Sequence, residues 1–224
     1  MKIVILGDSY AYGDGCADVK KLSDRPSYHS WPSLLQRARP QLTVVNVARP
    51  GADNLSILAQ LWQNWTQDID IIIFAASMIT RVQGRHPANE LDETRSLSPH
   101  FGFLDMPTEY KVAVKNYYQH LYSDLVGVNY TVCCILAGYG CSQLLGADFY
   151  WSIPNHFDPG QFPNWDRLNS IRDRRILACP DLGYGPDQLA VCGHPNELGY
   201  AKYHDSYFLP FINHIITQKD SYAS

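Results

Sequence analysis

This sequence predicts a three-layer α/β/α sandwich on a parallel sheet of four to five strands. Three observations carry that expectation. Short β-prone apolar runs recur through the chain, and stretches of helical periodicity separate them. The runs are continuously apolar and do not alternate, as in strands covered on both faces. The spacers are long enough for helical crossovers, which are right-handed when they join parallel strands.

"KIVIL" at Lys2–Leu6 is the first strand. "SWPSLLQRA" (30–38) opens a helix, with Ser30 in the N-cap position and Pro32 in the first turn. "LTVVNVA" (42–48) is a second strand. In "DNLSILAQLWQNW" (53–65) Leu55, Leu58, Leu61, Trp62 and Trp65 share one side at helical spacing. "DIIIFAAS" (70–77) is a third strand. A helix over 108–126 follows, with Tyr110, Val114, Tyr117, Leu121 and Leu125 three or four residues apart. "NYTVCCILA" (129–137) reads as a fourth strand, and "RRILACP" (174–180) has room for a fifth. The final helix, 196–217, directs Leu198, Ala201, Phe208, Phe211, Ile212, Ile215 and Ile216 to the core.

Two stretches stand outside the alternation. Residues 81–107 are polar and rich in turn formers, and 138–165 are aromatic. Long excursions from such a sheet often cover its ligand end; the plainer reading is that the aromatics complete a peripheral core. With no repeat, no low-complexity tract and no linker, residues 1–224 read as a single domain.

Composition narrows the function classes. Apolar residues make up 46% and charged residues 18%, the balance of an ordinary globular chain. A net charge of −4 with scattered Lys and Arg argues against broad binding to nucleic acid or an anionic membrane. The dense group "RDRR" (172–175) reads as a solvated helix face. "IVIL" is too short for an export signal and no stretch approaches a membrane span, so the cytoplasm is the default location. Assembly into a virus particle and export by another route stay open. The six cysteines lack zinc-type spacing and read as buried free thiols.

In an open parallel sheet, ligands bind beyond the carboxyl ends of the strands. Ser9 lies just past the first strand, the loop 46–54 past the second, and Ser77 to Arg81 past the third. "GHPNELGY" (193–200) opens the last helix. A serine, two short loops and a histidine can therefore share one edge. Each has a plainer reading. Ser9 is a helix cap, Gly51 after Pro50 a turn, and His194 turn punctuation before Pro195. Asp8 is expected to organise its loop by side-chain to backbone hydrogen bonds.

"GDSY" after the first strand, a glycine after the second and "HPNELGY" at the last helix together resemble the SGNH hydrolases, the GDSL esterase and lipase superfamily. The resemblance implies the flavodoxin-like fold of that family. It also implies Ser9 as nucleophile, His194 as general base, and the N–H groups of Ser9 and Gly51 as oxyanion-hole donors. The chemistry suits those residue types. A serine hydroxyl needs an adjacent base to take its proton, and imidazole titrates near the working pH. Preorganised N–H donors stabilise the charge that develops on the tetrahedral intermediate.

The sequence departs from the family pattern twice. Three residues before His194 stands Val191, where the family has aspartate. Asp187 is the nearest acid upstream, a backbone carbonyl is a second candidate to orient the imidazole, and a Ser–His dyad is the third solution. In place of Gly-x-Asn-Asp the chain has "FAASMITR" (74–81), with Ser77 and Thr80 as stand-in donors and Arg81 as a holder of an anionic substrate group or half of a surface ion pair. The resemblance implies a serine esterase that needs no metal or organic cofactor. Its expected substrate is an O-acyl or O-acetyl ester of a carbohydrate or small polar molecule. An inactive binding module of the same fold, and an acyltransferase using the same residues, are the alternatives.

Overall fold

The computed structural model describes residues 1–19, 25–85, 94–97, 108–154 and 163–223. Its centre is a four-stranded sheet of β1 (Lys2–Leu6), β2 (Thr43–Asn46), β3 (Ile71–Ala75) and β6 (Asp148–Ser152), in the order β2-β1-β3-β6. Every pairing is parallel, with Ile3 opposite both Val44 and Ile71, and Ile71 opposite Asp148. The period of two along β1 and β3 divides the core. Ile3, Ile5, Ile71 and Ile73 pack to one side, and Val4, Leu6, Ile72 and Phe74 to the other. The first side is covered by α2 (Trp31–Ala38), α6 (Glu197–Tyr203) and α7 (Leu209–Ala223), through Trp31, Leu35, Tyr200 and Ile212. The second is covered by α3 (Asn54–Gln63) and α5 (Asp124–Leu145), through Ile57, Leu61, Val128, Val132 and Ile135. These layers make the expected α/β/α sandwich. Each fully buried isoleucine contributes about 1.5–3 kcal/mol relative to an exposed one.

Several elements fall elsewhere than the sequence pattern placed them. The expected strand at 129–137 is the interior of α5, a helix of 22 residues. Ser123 caps it, accepting from the Val126 N–H, and Gly146 closes it in the left-handed region with φ of 68°. The same cap divides the helix expected over 108–126 into α4 (Thr108–His120) and the first turn of α5. Helix α5 packs against α3, β6 and the 3₁₀ segment Pro163–Arg174, and apolar residues on several of its sides erase the helical period. Among the described residues it is the one helix long and apolar enough to cross a membrane, yet Val128, Val132 and Ile135 lie in the core.

The fourth strand is instead "DFYWS", Asp148–Ser152, inside the aromatic stretch 138–165. A fifth strand at 174–180 shrinks to one bridge, Trp151 to Arg175, with the Ile176 N–H donating to the Trp151 carbonyl at 2.8 Å. In α3 the core face is Ile57, Leu58 and Leu61; Trp62 is exposed. The last helix is interrupted by a π turn, His204–Phe208, and its Leu198 is exposed. Within the stretch 81–107, β4 (Val82–Arg85) and β5 (Thr94–Leu97) form an antiparallel pair, and residues 86–93 and 98–107 lie outside the described residues. The cysteines are all free. Cys16, Cys134 and Cys179 are buried as expected, whereas Cys133 and Cys192 are exposed and Cys141 is half-buried.

Candidate active site

The chain leaves β1 and turns at once into α1 (Ser9–Tyr12), a single helical turn. Asp8 caps it, accepting from the Tyr10 N–H at 3.0 Å. Asp8 has the organising role expected of it, and the capping role offered for Ser9 is taken. The Ser9 hydroxyl instead stands 2.8 Å from His194 Nε2, across 185 residues of chain. Both side chains are buried. Gly7 beneath them is clamped by the Gln60 amide, which accepts from its N–H and donates to its carbonyl, each at 2.9 Å.

His194 is held by backbone and packing. Its carbonyl accepts from the Ala190 N–H at 2.8 Å, and the Gly193 N–H returns to the Ala190 carbonyl at 2.9 Å. The Tyr10 ring lies 4.9 Å from the imidazole, centroid to centroid. Gly15, with φ of 109°, permits the other close approach, since a Cβ there would fall 2.9 Å from His194 Cβ. Burial pushes the imidazole pKa below its ordinary value; Asp14 and then Asp8 pull it up, and Arg81 pushes it further down. A neutral imidazole facing a serine hydroxyl is the state that can accept its proton.

No acid orients His194 among the described residues. His194 Nδ1 is buried without a hydrogen-bond partner among the described residues. Val191 is fully exposed. Asp187 does not fill the place. It lies in an exposed 3₁₀ turn, where its carbonyl accepts from Asn196 Nδ2. Among the described residues no backbone carbonyl bonds Nδ1 either. An imidazole that accepts at Nε2 carries its proton on Nδ1, so a buried N–H goes unpaired at a cost of about 1–3 kcal/mol.

The loop after β2 is joined to β1 by the Arg49 N–H, which donates to the Gly7 carbonyl at 3.1 Å. Gly51 is exposed with φ of 76°, a conformation that favours glycine. The segment after β3 differs from expectation. Ser77 is fully buried; its hydroxyl donates to Asp8 Oδ2 at 2.9 Å, and its N–H to Asn54 Oδ1 at 2.8 Å. Its hydroxyl therefore serves the nucleophile turn. The Thr80 hydroxyl is buried without a partner among the described residues, and its carbonyl accepts from Tyr118 Oη at 2.7 Å. Arg81, expected at the mouth or in a surface pair, is buried. Its Nη1 lies 3.1 Å from Asp8 Oδ2 and 3.4 Å from the Ala52 carbonyl. Sequence reasoning missed Asn54, Gln60 and Asp14. The "DN" opening α3 carried a partial signal as a helix start, while Gln60 and Asp14 gave none.

The fold is that of the SGNH, or G-D-S-L, esterases and lipases. Among solved structures, the psychrotrophic esterase EstA from Pseudoalteromonas sp., inhibited by monoethylphosphonate, superposes with a TM-score of 0.58 at 13% identity, over 95% of this chain and 98% of its own. A member of the lipolytic G-D-S-L family from Veillonella parvula gives 0.50 at 13%, over 91% and 94%. A mutant of Axe2, an acetyl-xylooligosaccharide esterase from Geobacillus Stearmophilus, gives 0.52 at 13%, over 91% and 90%. No family profile and no curated protein matches the sequence.

Proposed function

We propose that this chain is a serine esterase working through a Ser9–His194 dyad. The observation that carries the reading is the 2.8 Å contact between Ser9 Oγ and His194 Nε2 at the carboxyl edge of a parallel sheet. In this reading His194 takes the hydroxyl proton as Ser9 Oγ attacks the ester carbonyl carbon. The carbonyl oxygen becomes an oxyanion, received by the N–H groups of Ser9 and Gly51, each donor being worth about 3 kcal/mol. His194 returns the proton to the departing alkoxide, and the alcohol leaves an acyl-serine. Water then attacks with His194 again as base, releasing the acid and restoring Ser9. A short O-acyl ester of a carbohydrate or small polar molecule is the substrate class we assign, in keeping with the acetyl-xylooligosaccharide activity in the name of one structural neighbour.

A fluorophosphonate probe tests the reading. It should label the wild-type protein on Ser9, and Ser9→Ala should abolish labelling. A second reading, an inactive binding module, is favoured by one observation, the unpartnered His194 Nδ1. Well-folded wild type that resists the probe selects that reading. Acyl transfer uses the same residues with an alcohol in place of water, and product analysis with added alcohol acceptors separates the two.

A further inference from the structure

We infer that Arg81 is the positioning residue of the oxyanion hole: it ties the residue before Ser9 to the residue after Gly51, and so fixes the two N–H donors relative to each other. The inference rests on the serine-esterase reading and adds to it a group that sets the geometry of the two backbone donors. One guanidinium nitrogen, Nη1, reaches Asp8 Oδ2 at 3.1 Å and the Ala52 carbonyl at 3.4 Å. Asp8 is at the same time the cap of the nucleophile turn, through the Tyr10 N–H, and the acceptor of the Ser77 hydroxyl. Loops following β1, β2 and β3 thus meet at one side chain.

The mount of Arg81 is itself fixed. Tyr118 Oη donates to the Thr80 carbonyl at 2.7 Å and Tyr122 Oη to the Ile79 carbonyl at 3.2 Å. Asn54 holds Ser77 by its N–H and its carbonyl, and anchors on Thr131 Oγ1 at 2.8 Å. The Arg81 and Asp8 side chains are 3% and 6% exposed. A pair so deeply buried is a poor source of stability, because desolvation offsets most of its attraction. What it supplies is a fixed geometry. A planar guanidinium serves two acceptors at set angles, whereas a lysine ammonium is a flexible point charge.

The test compares wild type with R81K and R81M in turnover of an activated acetyl ester. A misplaced oxyanion hole lowers kcat and leaves ground-state binding nearly intact. In R81M we expect kcat to fall about 100-fold with KM within about threefold, and R81K to lie between it and wild type. Folded R81M that keeps kcat within about threefold of wild type overturns the inference. Should R81M fail to fold, D8N/R81M removes both charges of the pair, and full turnover by that double variant overturns it equally. A second readout does not depend on catalysis. The 15N–1H amide signals of Ser9 and Gly51 should both move in R81K, and an unmoved signal at either residue overturns the inference. A wild-type protein that resists the fluorophosphonate defeats the esterase reading alone, because the amide signals still report the clamp.

Discussion

The two halves of the site are built to different standards. The nucleophile turn is held by directed side-chain contacts. Gln60 pins Gly7, and Asp8 receives Tyr10, Ser77 and Arg81. The histidine loop is held by backbone hydrogen bonds, by Asn196 Nδ2 on the Asp187 carbonyl and by the Tyr10 ring, while its imidazole Nδ1 lacks a partner among the described residues. The contact that the histidine loop lacks, among the described residues, is the one that fixes a tautomer. In the esterase reading proposed above, the rate depends on how often His194 presents a bare Nε2 to Ser9.

Perturbing each half separately sharpens that contrast. The largest effect is expected from His194→Ala, which removes the base and should cut ester turnover about 10⁴-fold or more, measured as kcat/KM. On the other half, Gln60→Leu keeps the bulk but strips the buried Gly7 N–H of its Gln60 acceptor and leaves the Gly7 carbonyl to the Arg49 N–H. It should cost about 1–3 kcal/mol of stability, read from urea denaturation. Installing the missing acid, Val191→Asp, should raise kcat about 10- to 100-fold. Because the Val191 side chain is fully exposed, the melting temperature should hardly change. An unchanged kcat there would break the contrast, since it would mean that the histidine loop needs no further orienting group.

The smallest effect concerns Asp14, the charge that most strongly favours the His194 imidazolium. Asp14→Asn should lower the imidazole pKa further. The free-base form then persists to lower pH, so the acid limb of the kcat/KM profile moves toward lower pH. The plateau should drop by up to about tenfold as the imidazolium loses a stabilising charge. An NMR titration of His194 gives the same shift without reference to turnover.

Much of the fold and part of the site could be read from the residues alone. β1 and β3 stood out because both faces are covered, which makes their apolar runs continuous. The pairing of Ser9 with His194 was readable because each sits in a short motif at a predictable end of an element. Helix α5 was misread because β-branched and thiol residues on several of its sides removed the 3.6-residue period. β6 was hidden at the sheet edge, where Asp148 and Tyr150 are only half-buried and break the apolar run. The partner of Arg81 was beyond reach for another reason. Asp8 lies 73 residues away, and nothing local to "ITR" separates a buried clamp from an exposed cation.

The strand order has a consequence for side-chain length. β1 lies between β2 and β3, so the loops leaving its two neighbours start two ladder spacings apart, about 9–10 Å. A group rooted past β3 must pass over the first-strand turn to reach the carbonyl past β2. Such a span calls for a long side chain, and the turn it crosses supplies a carboxylate on which a cation can rest midway. Aspartate at the centre and arginine at the flank are thus two parts of one bridge, with its width set by the sheet.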